Sequence, residues 1–266
     1  MNDDDTRLAP SPVQRAATLR LVVGAATDVG AVRTENQDAF GVLPAFAPGG
    51  TVTVPQPVLV VVADGMGGHE AGAEASAVAV EAVLAQFGAG FRADGDLPGM
   101  LGAAVEAANA AVWARANAGG TLRRMGTTCT TLLVAGGLAV VAHVGDSRAY
   151  RIRGGRIEQL TTDHTLAEEA KGRPSMAEYV RARRHHLTRA LGVQADVQVD
   201  SAVMGTLLPD DRFVLCSDGL EPVPIPDLAR AAVRYAPQEA ADWLVLMASA
   251  RGSRDNATAV VVHIVP

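Results

Sequence analysis

The chain has 266 residues, of which 48% are hydrophobic and 20% charged, and this balance excludes a chain that is disordered throughout. Its formal net charge is −6 and its basic residues are scattered, which argues against a nucleic-acid partner because phosphate backbones bind clustered Lys and Arg. Aromatic residues make up only 4%, so a core must be built from Ala, Val and Leu.

The first segment, residues 1–18, predicts a flexible tail. It is acidic at Asp3, Asp4 and Asp5 and carries two prolines, and it has no cationic start followed by an apolar stretch. It therefore lacks the pattern of a secretory signal, and we expect a cytoplasmic protein.

Residues 19–117 predict short strands followed by two helices. Short β-branched runs cut by Gly, Asp and Pro favour strands over 19–25, 39–43, 51–54 and 58–63. Small and apolar residues at helical spacing then favour helices over 71–88 and from 98 to about 117.

Residues 127–160 predict an antiparallel meander. Strands are expected over 127–135, 138–144, 149–153 and 157–160, with glycine pairs at two of the turns. The apolar stretch 132–144 is interrupted by Gly136 and Gly137 and falls short of the about 20 residues that cross a bilayer. We therefore expect no membrane partner.

The C-terminal part begins with a mixed-charge, partly helical segment over 163–189. Its basic cluster allows two interpretations, a solvated helix face or a binding patch, and consists of Arg181, Arg183, Arg184, His185 and His186. Further strands are expected over 197–204, 212–216 and 257–265, and helices over 226–235 and 237–251. No repeat or linker divides the sequence, so the grouped strands and paired helices favour one domain of packed sheets with helices outside.

The two cysteines, Cys129 and Cys216, are expected to be buried small hydrophobic residues. Each lies inside an apolar run, and two cysteines cannot form a disulfide framework. A thiol phosphatase would place an arginine six positions after its nucleophile, but those positions hold Ala135 and Pro222. Cysteine-based phosphate chemistry is therefore excluded.

Acidic residues recur at the ends of the predicted strands. Asp64, Asp146 and Asp218 each follow an apolar strand within two residues, and Asp255 precedes the last strand. A single Asp-Gly at a strand end is usually a turn, but the recurrence favours a shared site. Gathered carboxylates repel one another and lose hydration, so an apolar scaffold keeps several together only when a cation compensates them.

The types of residue at these strand ends indicate which cation and which chemistry to expect. Oxygen ligands without a supporting Cys or His cluster select Mg²⁺ or Mn²⁺ over Zn²⁺, and Gly65 would let a backbone carbonyl approach the ion. Arg33 stands close in sequence to Asp38, and a guanidinium beside a metal cluster is well shaped to bind phosphate through two parallel hydrogen bonds. The sequence therefore predicts phosphoryl chemistry.

A series of short segments in a fixed order carries a specific resemblance. They include Val32-Arg33, Asn36-Gln37-Asp38, Asp64-Gly65-Met66-Gly67-Gly68-His69, Gly126-Thr127-Thr128, Val144-Gly145-Asp146-Ser147-Arg148-Ala149-Tyr150, Leu160-Thr161, Asp163-His164, Leu187-Thr188-Arg189-Ala190-Leu191-Gly192, Leu215-Cys216-Ser217-Asp218-Gly219-Leu220 and Asp255-Asn256-Ala257-Thr258. From about residue 19 to the end, the chain resembles the bacterial form of the metal-dependent Ser/Thr protein phosphatases of type 2C.

The resemblance implies a fold of class α+β, a four-layer α-β-β-α sandwich in which two antiparallel sheets pack face to face with helix pairs outside. It implies one catalytic domain over 19–266, with a flap-like segment at about 165–187 beside the active site. It also implies a two-metal centre at one edge of the sandwich.

Site roles follow from the same resemblance. Asp64 resembles the carboxylate that bridges both metals, and Asp218 and Asp255 look like ligands of the first ion. Asp38 and the carbonyl of Gly65 look like contributors to the second site, partly through water. In addition, Asp146 is similar to the ligand of a weaker third ion, Arg33 looks like the phosphate clamp, and Asn256 looks like a support beside Asp255.

The implied activity is hydrolysis of phosphoserine and phosphothreonine on proteins, by direct attack of a hydroxide that bridges two Mn²⁺ or Mg²⁺ ions. The implied partners are phosphorylated proteins, namely a bacterial Ser/Thr kinase and its substrates, and the enzyme is expected to be a monomer. Two alternatives stay open. One is a non-catalytic regulatory module of the same fold, and the other is a phosphatase of small phosphate esters or nucleotides.

The sequence departs from the family pattern at four places. Gln37 stands where many relatives carry a second acid, and Met66 stands where eukaryotic relatives carry the histidine proposed as the general acid. His69 comes three residues later and is expected to be a loop residue. The proline-rich segment 221–226 differs from the usual continuation after Asp-Gly-Leu, and the flap-like segment is shorter than usual.

Overall fold

The computed structural model describes residues 20–45, 51–53, 57–67, 70–118, 125–173, 177–181, 183 and 185–265. The expected tail over residues 1–18 lies outside these residues, so the division of the chain into a tail and a catalytic domain stays a prediction. No helix in the described ranges is both long and apolar enough to cross a membrane.

The described residues form twelve strands, six α-helices and a short 3-10 turn. The strands are β1 (Arg20–Asp28), β2 (Asp38–Leu43), β3 (Thr51–Thr53), β4 (Val58–Gly67), β5 (Met125–Thr127), β6 (Cys129–Ala135), β7 (Leu138–Val144), β8 (Arg148–Arg153), β9 (Arg156–Gln159), β10 (Asp200–Thr206), β11 (Arg212–Cys216) and β12 (Ala257–Val265). The helices are α1 (Glu70–Gly90), α2 (Leu97–Asn117), α3 (Leu166–Glu169), α4 (Ala177–Arg181), α5 (Ile225–Arg234) and α6 (Pro237–Ala250), and the 3-10 turn is Asp218–Leu220.

The strands form two sheets whose pairs are all antiparallel. The first sheet has the order β3-β1-β12-β11-β8-β9, and the second has the order β10-β7-β6-β4-β2, with β5 paired to the end of β4. The helices α1 and α2 pack on the second sheet, and α5 and α6 pack on the first. The predicted α-β-β-α sandwich is confirmed.

Strand β4 shows why the strands are continuous apolar runs instead of alternating ones. Leu59, Val61 and Ala63 pack under α1 and α2, whereas Val58, Val60 and Val62 belong to the core between the two sheets. Successive side chains of a strand point to opposite faces, and both faces of this sheet are covered, so every position is apolar. The run ends at Asp64, where the strand leaves the core.

The structure adjusts several predicted boundaries. The strand expected over 127–135 is broken at Thr128, because the Thr128 N–H donates to the Asp64 carbonyl at 2.9 Å and redirects the pairing from β6 to β5. The strand expected from 197 begins at Asp200, since Val197 and Val199 pack against the helix-side core instead. The proline-rich segment begins α5: the Pro224 carbonyl accepts from the Leu228 N–H at 3.0 Å.

Candidate metal centre

The acidic strand ends meet at one end of the sandwich because neighbouring strands are antiparallel. Asp38 begins β2 directly opposite Asp64 near the end of β4, so the ladder itself places the two side by side. In the first sheet, Cys216 at the end of β11 pairs with Ala259 near the start of β12. Asp218 and Asp255, which flank those strands, are thereby brought to the same end.

Asp38 links the two sheets at this end. Its Oδ2 atom accepts hydrogen bonds from the hydroxyls of Ser217 and Thr258, each at 2.7 Å, and both of these residues belong to the first sheet or its margin. Ser217 in turn accepts from the Thr258 N–H at 3.0 Å. The Asp38 Oδ1 atom is buried and has no hydrogen-bond partner among the described residues.

Asn256 holds the loop that carries Arg33. Its side-chain amide donates to the carbonyls of Val29 and Glu35, both at 2.9 Å, and its Oδ1 accepts from the Gln37 N–H at 2.9 Å. One side chain thus closes the loop between β1 and β2 against the start of β12. Asn256 is predicted to support the site beside Asp255. In the structure its side-chain amide also holds the β1–β2 loop through these three hydrogen bonds.

Arg33 lies over the acidic end of the sandwich. Its Nη2 atom donates to Asp255 Oδ2 at 2.5 Å, and the two side chains are 48% and 41% exposed. The pKa of the Arg33 guanidinium is raised, first by its hydrogen bond to Asp255 and then by the charges of Asp255, Asp64 and Asp218. Arg33 therefore stays charged, and about half of its side chain remains accessible to solvent.

A cavity of about 520 Å³ opens between these elements. Its walls include most of the predicted site residues, namely Arg33, Asp64, Gly65, Asp146, Asp218 and Asp255. The opposite wall is formed by the segment that closes the flap-like region, which contributes His185, His186, Leu187, Thr188, Arg189 and Ala190. Asp38 and Asn256 are not among the residues that line the cavity, but Asn256 accepts a hydrogen bond from the N–H of Gln37, which does line it.

The carboxyl groups repel one another and are partly desolvated, so their pKa values rise. Burial, reinforced by the charges of Asp38, Asp218 and Asp146, raises the pKa of Asp64 well above its usual value. Burial, and then the charge of Asp255, also raises the pKa of Asp218, and the Asp218 carboxyl lies within hydrogen-bonding reach of that of Asp64. Two carboxyls this close together favour a shared proton or a shared cation.

Two further carboxyl groups respond in the same way. Burial raises the pKa of Asp38 to about 6, although the hydroxyls of Ser217 and Thr258 oppose the shift. Burial, assisted by the charge of Asp218, raises the pKa of Asp146 to about 7, while Arg148 opposes it. An acidic cluster with these properties is the environment that a divalent cation stabilises.

The donor set fits a hard divalent cation, although it is not a closed cage. Within the described ranges, no three His, Cys, Asp or Glu side chains stand close enough together to coordinate one ion directly. The unpartnered buried oxygen of Asp38, the contact between Asp64 and Asp218 and the purely oxygen-based set all favour Mg²⁺ or Mn²⁺. Such ions retain several waters, which suits a pocket with spaced carboxylates.

Gly65 is required at its position, but for a reason that the sequence did not indicate. A Cβ atom there would lie 2.0 Å from the carbonyl oxygen of Gly72 in α1 and 2.6 Å from that of Gln37. The Gly65 N–H also donates to the Gln37 carbonyl at 3.0 Å. Close backbone packing against α1 and the β1–β2 loop therefore excludes a side chain at Gly65.

Sequence reasoning gave no role to several residues around the pocket. Thr128 lines it, and Ser217 and Thr258 hold Asp38, although all three stand inside the segments that carry the resemblance. Met66 lines the pocket, whereas His69 lies outside the described residues. Hydroxyl side chains next to acidic residues at strand ends were the signal that could have indicated this supporting role.

The basic cluster is divided by the structure. His185 and His186 line the pocket, whereas Arg181 ends α4 and Arg183 stacks over the ring of Tyr179 at 4.6 Å. Arg184 lies outside the described residues. His185 and His186 line the pocket, which favours the interpretation as a binding patch. Arg183 packs on the exposed Tyr179, which favours the interpretation as a solvated face for that part of the cluster.

The fold and the site together define an α-β-β-α sandwich protein with an acidic pocket at one end of its sheets. A family model described as Protein phosphatase 2C matches residues 31–257. This chain therefore belongs to the protein phosphatase 2C family.

Relatives within the family include a protein about twice as long as the matched region and a protein of similar length to it. Serine/threonine protein phosphatase PstP of Mycobacterium tuberculosis (strain CDC 1551 / Oshkosh) is 36% identical over 256 residues, which cover 93% of this chain and 46% of that protein. Serine/threonine phosphatase stp of Listeria welshimeri is 33% identical over 246 residues, which cover 89% of this chain and 93% of that protein. The chain thus spans about half the length of the mycobacterial relative, 46%.

Solved structures of relatives have the same architecture. A crystal structure of the Mycobacterium tuberculosis serine/threonine phosphatase PstP/Ppp matches with a TM-score of 0.79 at 33% identity, and covers 93% of this chain and 100% of that one. The catalytic domain of PstP in complex with 2 manganese ions matches with a TM-score of 0.76 at 33% identity, and covers 94% and 100%.

Proposed function

We propose that the protein is a metal-dependent protein serine/threonine phosphatase. The observation that carries this proposal is the pocket in which Arg33 faces the carboxylates of Asp64, Asp218 and Asp255. Anionic side chains that hold cations, with a guanidinium at their rim, bind a phosphate dianion that the carboxylates alone would repel. Membership of the protein phosphatase 2C family supports the same reaction class.

The ion-binding residues that we propose are Asp64 as the shared ligand, Asp218 and Asp255 for one ion, Asp38 and the Gly65 carbonyl for a second, and Asp146 for a weaker third. A manganese complex of a 33% identical relative supports two sites and Mn²⁺ as the first ion to test, with Mg²⁺ as the alternative. When bound, such ions would neutralise charge on the phosphoryl oxygens and would lower the pKa of a water, so that it loses a proton and becomes a nucleophile towards phosphorus.

The chain itself orients the phosphate and offers no cysteine nucleophile. Arg33 has N–H groups beyond the one that contacts Asp255, so it can bind phosphoryl oxygens without losing its place in the loop. Burial raises the pKa values of both Cys129 and Cys216 to about 12, so neither supplies a thiolate nucleophile. Arg33 thus provides binding and charge compensation, and no side chain needs to carry the phosphoryl group.

A protein substrate is favoured over a small ester by the shape of the site. The pocket is bordered by His185, His186 and Arg189 from the segment that closes the flap-like region, which offers contacts beyond the phosphate. We infer that phosphorylated proteins, including a Ser/Thr kinase and its targets, are the substrates of a monomeric cytoplasmic enzyme. Curated relatives named as serine/threonine phosphatases support this inference.

The test is Mn²⁺-dependent release of phosphate from a phosphothreonine-containing kinase domain. We expect turnover that a chelator abolishes and that Asp218→Asn removes, while Asp227→Asn, a charge-matched change on α5, keeps it. Turnover that survives both the chelator and Asp218→Asn contradicts the proposal. If the wild-type protein releases no phosphate in the presence of Mn²⁺, the result favours the non-catalytic regulatory module instead.

The same assay separates the protein substrate from the small ester. Free phosphoserine lacks the remote contacts, so its kcat/KM should be much lower than that of the phosphorylated domain, because remote binding energy lowers the barrier. Equal values for the two substrates would favour the small-ester alternative.

A further inference from the structure

The threonines between the end of β5 and the first residues of β6 have no role in the function proposed so far. Thr127, Thr128 and Thr130 are all fully buried or nearly so, although each carries a hydroxyl group. Buried hydroxyls are retained where they make hydrogen bonds, because an unpaired one is costly. Their partners are the residues around Asp64 and Asp146.

On one side these threonines hold the peptide of Asp64. The pairing of β4 with β6 ends at Val62, so the Asp64 peptide lies beyond that ladder. The Asp64 N–H donates to Thr128 Oγ1 at 2.8 Å. The Asp64 carbonyl accepts from the Thr128 N–H and from the Thr127 hydroxyl, each at 2.9 Å. Both polar groups of the Asp64 peptide are therefore satisfied by two adjacent residues.

On the other side the same threonines hold the residues that flank Asp146. The hydroxyls of Thr128 and Ser147 are hydrogen-bonded at 2.7 Å, and the Thr130 hydroxyl donates to the Ser147 carbonyl at 3.0 Å. Thr128 also packs against Gly145, where an added Cβ would lie 2.6 Å from Thr128 Cβ and where φ is +112°. Thr128 thus touches the neighbours of Asp146 on both sides.

We propose that Thr128 is a positioning residue whose hydroxyl, paired with that of Ser147, fixes the Asp64 backbone relative to the Asp146 loop. The proposal rests on the proposed function only in taking Asp64 and Asp146 as ion-binding residues. Carboxylates that repel one another move apart unless the backbone that carries them is held. The hydrogen bond between the Thr128 and Ser147 side chains connects the residue that holds the Asp64 backbone directly to the Asp146 loop, and it is removed from solvent.

The experiment compares Thr128→Val, which removes the hydroxyl at nearly constant shape, with Thr128→Ser, which keeps it. Mn²⁺ binding to chelator-treated protein is measured by calorimetry, without substrate. We expect Thr128→Val to weaken Mn²⁺ binding by about 10-fold, the usual effect of losing a group that orients a ligand, and Thr128→Ser to restore it. Hydrogen exchange at the Asp64 amide should become faster in Thr128→Val alone.

Thr131→Val is the matched control. Thr131 is equally buried and lies three residues further along the chain, in β6. Its hydroxyl bonds to the carbonyl and N–H of Ala142, at 3.0 and 3.1 Å, and faces no predicted ligand. We expect Thr131→Val to lower thermal stability and to leave Mn²⁺ binding unchanged. An equal loss of Mn²⁺ binding in both valine variants would mean general loosening of residues 128–131 and would overturn the proposal.

Ser147→Ala tests the link from its other end. It keeps the bond between Thr128 and the Asp64 N–H, so we expect a smaller loss of Mn²⁺ affinity than in Thr128→Val, and a double variant whose loss is less than the sum of the two. Additive losses, or unchanged exchange at the Asp64 amide in Thr128→Val, overturn the positioning role. Both readouts need no turnover, so a wild type that binds Mn²⁺ without hydrolysing phosphoproteins contradicts the proposed function alone.

Discussion

The middle of the sheet sandwich and its acidic end are built from the same strands but have opposite energetics. In the middle, Leu132, Leu215 and Val260 are fully buried between the sheets, and their burial stabilises the fold. At the acidic end, Asp64 and Asp218 are partly desolvated beside like charges, which costs stability. This fold therefore gives up stability at the end that carries the proposed metal site, and the packed middle of the sandwich keeps that end in shape.

The largest expected effect comes from removing a predicted ligand at the acidic end. Asp218→Asn should lower kcat/KM by at least about 100-fold, more than the loss of an orienting group, because the ion-binding carboxylate itself is gone. The same variant should keep or raise the melting temperature of the metal-free protein, because one of several repelling charges is removed. Phosphate-release kinetics and thermal unfolding check the two halves of this prediction.

A change in the middle of the sandwich should show the reverse pattern. Leu132→Ala is expected to lower the free energy of unfolding by about 2 to 5 kcal/mol, the usual result of a cavity in a packed core. The kcat/KM of the folded fraction should stay at the wild-type value. A urea titration combined with kinetics at low denaturant tests this, and a loss of activity in the folded protein would show that the two regions are not separable.

Arg33→Ala tests the rim of the acidic end. We expect a loss of about 1.5 to 3 kcal/mol in phosphate binding, seen mainly as a higher KM, because one charged hydrogen-bonded contact disappears. Stability should hardly change, since the Arg33–Asp255 pair is nearly half exposed, at 48% and 41%, and such pairs contribute little. Arg33→Lys, which keeps the charge but not the planar fork, should recover only part of the affinity.

The acidic end should also make the stability of the metal-free protein depend on pH. The pKa values of Asp38 and Asp146 are about 6 and about 7 in the folded state, above the usual value of 3.8. The folded state therefore binds more protons, so the stability contributed by these groups is complete below about pH 4 and is lost as the pH rises towards 7.

Denaturant titrations of metal-free protein between pH 4 and 8 measure this effect. Asp38→Asn should flatten the decline, because it removes one of the titrating groups. A steeper decline in Asp38→Asn than in the wild type would contradict the assignment of the pH dependence to the acidic end.

Patterning alone predicted most of the fold, since runs such as 58–63 and 212–216 are apolar on both faces and end abruptly at acidic residues. The boundaries that failed depend on tertiary contacts. The break at Thr128 results from its hydrogen bond to the Asp64 carbonyl, and no local property of a threonine-rich run signals that partner. The late start of β10 has a similar cause, because Val197 and Val199 pack against the helix-side core.

The candidate site was predictable as a set of residues but not as a geometry. Spacing and resemblance together selected Asp64, Asp218 and Asp255, which the structure places around one pocket, and their roles as ligands stay predictions. The supporting contacts of Asp38 could not be foreseen, since Ser217 and Thr258 are distant from it in sequence by 179 and 220 residues. Such contacts become visible only when two sheets are stacked.

The hydrogen bonds of Asp38 have a mechanical consequence. Asp38 belongs to one sheet and accepts hydrogen bonds from hydroxyl groups of the other. The two sheets therefore cannot slide past each other at this end without breaking these hydrogen bonds. Sliding of packed layers is one of the common ways in which proteins open and close. With that route blocked at this end, we expect access of the proposed phosphoprotein substrate to depend on residues 185–190, which border the pocket.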